Sequence, residues 1–504
     1  MIAPLLALAV YAGCPQPPAT PRAVHYIDPV HGSAAGDGGA AHPWRTLAEV
    51  VAKGLVATTP AHWDAATKTN VAANPNAPIQ PGDTVYLLSG DHGKVLIQGA
   101  FGAGLVGFDN ATPITVAAAP GATPVIEALT VKGGAGWVFE GLTFQSLNTS
   151  GRYPLSAGGG PDVFLISLTG PHSNIIVDHA VIRSAPSSAA WTMAQWQTTR
   201  SSGFHDIGGT CVALTNSAIS NIGFAVQTQR SDKVLIAGNT IDQFADDGID
   251  YASSDLLIQN NRITNSVEDG DGFHRDAMQG QPDTETTLTQ NVAIIGNTVI
   301  RETDPNALLP GTMQGIDAFD GLWRNVTVKN NVVITSTTQG ISFYGVTGLD
   351  AENNILLADD GRWRACPNPG LAACAATAIT FQPLPPGLNV SKSKTHQPSA
   401  DVTLIGNIVT GIGVDPSTGV TAIARNLCLP TLFAPAKCVF GFPAGPPYAA
   451  ASGGGGKMVW AGKAGTYGDH NVIAPWTAGA FFRAYQPATA TYDLTPVRAN
   501  PAHN

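Results

Sequence analysis

The chain has 504 residues, with 56 Gly, 37 Pro and only 12% charged side chains, which leaves little material for solvated surface helices and points to a loop-rich β protein. A net charge of −10 without clustered Lys and Arg argues against nucleic acid as a partner, because phosphate neutralisation needs such clusters. After the N-terminus, no apolar run is long enough to cross a membrane as a helix.

Residues 1–22 read as a signal or lipoprotein-like segment and spacer. IAPLLALAVYAG, at 2–13, is apolar and too short to span a bilayer, and small residues precede Cys14, so the expectation is an exported protein. Tyr11-Ala-Gly-Cys14 resembles a bacterial lipoprotein cleavage site, which leaves a lipid anchor at Cys14 open. Cys366 with Cys374, and Cys428 with Cys438, bracket short loops and are expected to pair as disulfides in an oxidising compartment. Cys211 lies in an apolar run and is expected to be a buried free thiol, and the absence of CxxC or Cys/His clusters argues against structural zinc.

Residues 23–504 are expected to form one domain, with a cap at about 23–100, coils at about 110–425 and a closing segment at about 440–504. The cap contains one short amphipathic helix from about Thr46 to Gly54. An insertion at 184–206 carries Trp191 and Trp196, which serve either as sugar-stacking platforms or as anchors for the loop itself. After residue 380 a long polar loop is expected before coils resume near VTLIGNIV.

The coils announce themselves by repetition. An apolar alternation followed by Asn recurs at Asn216, Asn239, Asn261, Asn297, Asn331, Asn354 and Asn407, with separations of 23, 22, 36, 34, 23 and 53. A base period near 22–24 with insertions is the mark of a solenoid. A second column runs in phase: Phe224-Ala-Val-Gln227, Asp247-Gly-Ile-Asp250, Asp276-Ala-Met-Gln279, Gln314-Gly-Ile-Asp317, Gln339-Gly-Ile-Ser342 and Thr377-Ala-Ile-Thr380. Two short strands per period, alternating apolar and polar, predict an all-β parallel β-helix. Stacked asparagines at the bends would bond one another.

Pro43-Trp-Arg-Thr-Leu47, the helix after it, and Pro81-Gly-Asp-Thr-Val-Tyr-Leu87 resemble the N-terminal cap of the pectate-lyase-like superfamily of right-handed parallel β-helices. Tyr492-Asp-Leu-Thr-Pro-Val-Arg-Ala-Asn-Pro-Ala502 is similar to the closing segment of many of its members. The resemblance implies the fold and leaves activity open, since this solenoid hosts lyases, hydrolases, epimerases and adhesins.

Chemistry concentrates in residues 242–285, where eleven acidic side chains face only Arg262 and Arg275. Laying Asp247-Gly-Ile-Asp250 over Asp276-Ala-Met-Gln279 puts Asp247 one rung from Asp276, with Gln227 and Arg230 one coil earlier and Gln314 and Asp317 one coil later. The candidate catalytic set is His274, Arg275, Asp247, Asp250 and Asp276. The candidate substrate-binding set is Gln227, Arg230, Tyr251, Gln279, Gln314, Asp317, Trp191 and Trp196.

Three chemistries compete. β-Elimination of an acidic, uronic-acid-containing polysaccharide needs a base, for which His274 is favoured, and a cation such as Arg275 or Arg230 for the substrate carboxylate. Asp269-Gly-Asp271-Gly-Phe273 is similar to the calcium segment of family-nine pectate lyases, which implies Ca2+ on Asp246, Asp247, Glu268, Asp269 and Asp271. The lysine base of that family is absent, with His274 and Arg275 near its place. Hydrolysis, or C5 epimerisation, would use paired aspartates, and Asp246-Asp247 resembles the Asp-Asp segment of polygalacturonase-type hydrolases. The third reading is a structural calcium site on a carbohydrate-binding or surface protein without turnover; under each reading the protein is expected to be a monomer.

Overall fold

The computed structural model describes residues 11, 13–57, 62–64, 69–71, 74–98, 109–146, 163–272, 274–304, 307–359, 384–431, 439–443, 458–461, 465–467, 469–486, 489 and 491–503. The signal-like residues 1–10, Phe273, Cys366, Cys374, Thr377-Ala-Ile-Thr380 and Cys438 lie outside the described residues. The chain divides into two compact units, one of Met1–Ser188, Gln197–Ile241 and Ser253–Leu257, the other of Ala189–Trp196, Asp242–Ala252 and Ile258–Asn504.

In the first unit the capping helix spans Leu47–Ala52. Thr46 begins it by accepting the Glu49 N–H on its hydroxyl, and Leu47, Val50 and Val51 form its buried face. The strands Ala128–Glu140, Phe164–Asp178, Gly209–Thr215 and Val226–Ala237 stack in parallel, each coil laid on the one before. Like sits on like: Ile175, Val212 and Val234 share one register column and are each no more than 1% exposed. That repetition is why a parallel sheet buried on one face can run with so few charges.

Cys211 is not a free thiol. Its sulfur bonds Cys14, closing a separation of 197 residues, and the Tyr11 hydroxyl donates to the Cys211 carbonyl at 2.9 Å. With its sulfur in that bond, Cys14 has no thiol for a lipid thioether. Cys428 is also disulfide-bonded. The Cys14–Cys211 pairing, across 197 positions, is what short-range spacing fails to reveal.

In the second unit coils contribute three strands rather than the expected two, as in Gln314–Ala318, Leu322–Lys329 and Val332–Thr335, except where Ile249–Gln259 runs on as one strand. The corners between them are made by residues in the left-handed region, Gly321 at φ 72° and Asn330 at φ 57°. After each corner of the second kind, as after Asn330, comes a ladder asparagine. Asn261, Asn297, Asn331, Asn354, Asn407 and Asn426 each donate a side-chain amide to the Oδ1 of the next, at 2.8–3.0 Å, and the row ends on Asn471. The ladder thus runs on through Asn426 and Asn471, which the motif did not capture. Asn216 is not part of any ladder: it is exposed at φ 48°, and Ser217 takes the inner place with its N–H on Asn239 Oδ1. The corner needs two residues, and in Thr-Asn-Ser the Asn supplies the left-handed one.

Asn331→Ala removes the acceptor for both the Asn297 N–H and its side-chain amide. Because these groups are buried, a loss of about 1–3 kcal/mol in denaturant unfolding is expected; an unchanged midpoint would contradict a structural role for the ladder.

The expected polar loop after residue 380 holds a strand, Gly387–Ser391, that pairs with Gln339–Tyr344. Its alternating Leu388 and Val390 are each 1% exposed, so apolar period outweighed the surrounding Pro, Ser and Lys. At the end of the chain, Ala478, Phe481, Phe482 and Tyr485 pack with Leu427, Leu429 and Val472, covering the last coil's core. An antiparallel hairpin of Phe482–Gln486 and Thr491–Pro496 completes it.

Candidate active site

The acidic residues are set by strand register. Ile249 pairs Met278, Met278 pairs Ile316, and Ile316 pairs Ile341 and then Leu388, a column no more than 1% exposed that forms the inner row. Alternation turns the neighbouring column the other way: Asp250, Gln279, Asp317, Ser342 and Asn389. The expected stacking of Asp247-Gly-Ile-Asp250 on Asp276-Ala-Met-Gln279 and on Gln314-Gly-Ile-Asp317 is the observed register. The small residue in this column has a steric cause, since a Cβ on Gly315 would meet the Gly340 carbonyl oxygen at 1.9 Å.

Asp247, His274 and Asp276 bring one side-chain atom each to within 4.8 Å of one another. The Asp276 N–H donates to Asp247 Oδ1 at 2.7 Å, which ties the two rungs together. His274 Nδ1 lies 3.2 Å from Asp276 Oδ2; the imidazole is 57% exposed while the carboxylate is closed off from solvent. The hydrogen bond to Asp276 raises the His274 pKa above its ordinary value against a smaller opposing effect of burial. Burial raises Asp276 itself, and the contact with His274 opposes that rise.

Two further carboxyls are pushed well above the usual aspartate range. For Asp247 the cause is burial, followed by the charges of Asp250 and Asp276; for Asp317 it is burial, then Asp276. Asp250 is also fully buried. A group whose folded pKa exceeds its unfolded one leaves stability intact below the unfolded value and removes it as pH rises toward the folded value. Asp317→Asn is therefore expected to raise the melting temperature at neutral pH and to change it little below the ordinary aspartate range, measured by calorimetry at both pH values. A uniform shift across pH would point to packing instead.

Arg275, expected to meet a substrate carboxylate, is turned inward. It is 2% exposed, with Nε donating to the Ala245 carbonyl at 2.8 Å and its guanidinium bound to Asp269 at 2.7 Å, Asp271 at 3.0 Å and Glu268 at 3.2 Å. Gly270 and Gly272, both at positive φ, allow the turn to fold its carboxylates back onto this cation. Three of the five side chains expected to hold Ca2+ are thus committed to a guanidinium, and a second cation beside it would be repelled; that donor set does not fit calcium. Asp246 is buried, at 4% exposure.

The expected binding residues separate. Tyr251 is core: it is fully buried, its hydroxyl donates to the Asp317 carbonyl at 3.1 Å, and its ring meets Trp323 edge-on at 5.5 Å. Its place in the inner row, two residues past Ile249, explains this. Trp196 anchors the insertion, packed with Ala245, Val267 and Leu309, while Trp191 stays half-buried against it, 5.0 Å between ring centroids. Gln279 is buried in the outward row, and Gln314 is half-buried beside Asp276 in register. Gln227 and Arg230 lie on the strand Val226–Ala237, whose register belongs to the first unit. Phe319 and Asn389, on the outward side of the same sheet, escaped the sequence reading, although Phe319 follows Asp317 by the same two-residue step.

Residues 174–356 match the family described as right handed beta helix region. No curated protein matches the chain. Among solved structures the chain is similar to the pectate lyase Pel9A, at 13% identity over 81% of this chain and 80% of that one with a TM-score of 0.36. It is also similar to the A-module of the mannuronan C-5 epimerase AlgE6 of Azotobacter vinelandii, at 15% identity over 68% and 91%, TM-score 0.39. A third is the polygalacturonase of Erwinia carotovora ssp. carotovora, at 10% identity over 81% and 97%, TM-score 0.37. The class defined by strand register and family match is the right-handed parallel β-helix, as the pectate-lyase-like resemblance implied.

Proposed function

We propose that the protein is an exported enzyme that cleaves a uronic-acid-containing polysaccharide by β-elimination, with His274 as the base. The observation that carries this reading is the ring of His274, more than half exposed, with Nδ1 on the buried Asp276 carboxylate. That contact occupies Nδ1 and leaves Nε2 as the proton acceptor, and it stabilises the imidazolium formed when Nε2 takes the C5 proton and the bond to the leaving oxygen at C4 breaks. The disulfide between Cys14 and Cys211 supports an oxidising compartment.

A second reading, hydrolysis, draws on the carboxyls of Asp247 and Asp317: an aspartic acid that keeps its proton serves as a general acid to a glycosidic oxygen. Incubation of the purified protein with polygalacturonate, alginate and neutral glycans separates the two. Ultraviolet absorbance of an unsaturated product marks elimination; reducing ends without that absorbance would replace it with hydrolysis, and no product from any polymer would sink both.

A further inference from the structure

Beyond the acid–base pair, the outward side of the same sheet carries aromatic surface. Tyr344 follows Ser342 by two within the strand Gln339–Tyr344, so alternation keeps its ring on the side of the acidic row, and Phe319, the residue after the strand Gln314–Ala318, lays its ring against it. Ala318 pairs Phe343 in register, which sets Phe319 and Tyr344 side by side on adjacent coils, with ring centroids 5.0 Å apart at 63°. Both are half-buried, whereas the neighbouring Tyr251 and Trp323 are no more than 1% exposed. Asn389, next along the outward row and half-buried, spends its amide N–H groups on the Thr338 and Gly387 carbonyls and the Ser342 hydroxyl.

We infer that Phe319 and Tyr344 form a stacking subsite for one pyranose ring of the polymer, beside Asp317 on the face that carries His274's partners; the inference rests on the carbohydrate reading above. The apolar C–H face of a pyranose matches an aromatic edge and face held at this angle, and the rigid strands beneath hold the pair ready-made. The ring, and not the Tyr344 hydroxyl, supplies the contact.

The test uses the His274→Ala protein, in which binding is separated from turnover. Titration calorimetry with oligogalacturonate and oligomannuronate is expected to show binding of one of them. Adding Tyr344→Leu, which keeps apolar bulk without the ring, should weaken it by about two- to tenfold, and Tyr344→Phe should leave it unchanged. Should Tyr344→Leu fail to fold, judged by thermal unfolding, Phe319→Leu carries the same expectation. Parental affinity in the Leu variants overturns the subsite, as does equal loss in Tyr344→Phe or absence of binding to both oligosaccharides by the parent. The acid–base reading fails separately, if His274→Ala retains the turnover of the unmodified protein.

Discussion

His274→Ala is expected to unfold at the wild-type temperature and to lose about 10²–10⁴-fold in turnover, the usual contribution of a positioned general base. The two halves of this expectation come from one geometry. The imidazole is 57% exposed and its packing contribution is small, while its Nδ1 sits against a carboxylate with no solvent contact. Asp276→Asn tests the pairing itself. Its carboxylate is the largest influence raising the His274 pKa, so its neutralisation lets that pKa fall. A base acts when unprotonated, so the rising limb of the pH–rate profile is expected to move to lower pH in Asp276→Asn, together with a lower maximal rate as the imidazolium loses its stabiliser. An unmoved limb would mean that another group titrates.

Arg275→Ala is expected to be the most destabilising single change in this region, by about 3–5 kcal/mol, because removing one partner of a buried ionic cluster leaves the others uncompensated. Glu268, Asp269 and Asp271 would then crowd negative charge around a cavity where the guanidinium lay. Arg275→Lys keeps the charge but not the planar fork that meets three carboxylates and the Ala245 carbonyl, so partial recovery is expected. Denaturant unfolding at neutral and acid pH measures both effects. The loss should shrink in acid, where the carboxylates protonate without their partner. Wild-type stability of Arg275→Ala would return Arg275 to the list of candidate substrate contacts.

Much of the scaffold was legible beforehand because it repeats. The Gly/Ala–aliphatic column predicted the pairing of Asp250 with Gln279 and of Gln279 with Asp317, since an apolar inner row fixes parity and a one-residue slip would turn every side chain over. The Asn column was likewise readable, apart from the displaced corner at Asn216 and Ser217. Direction relative to the core was harder to read: Tyr251, expected among the substrate contacts, sits in the inner row, while Phe319 and Tyr344 are left half-buried.

Composition, period and the alternation of apolar and polar positions were enough to define a parallel β-helix and to assemble aspartates on neighbouring rungs, because these features depend on neighbours at a near-constant separation. Whether a charged group meets solvent or another charge is not periodic. It depends on how the turn at Glu268–Gly272 folds back, and this turn sends Arg275 inward to three carboxylates and leaves His274 outside on Asp276. The bond between Cys14 and Cys211 has the same character: contacts made across 197 residues leave no mark in local spacing, and only the packed coils bring such partners together.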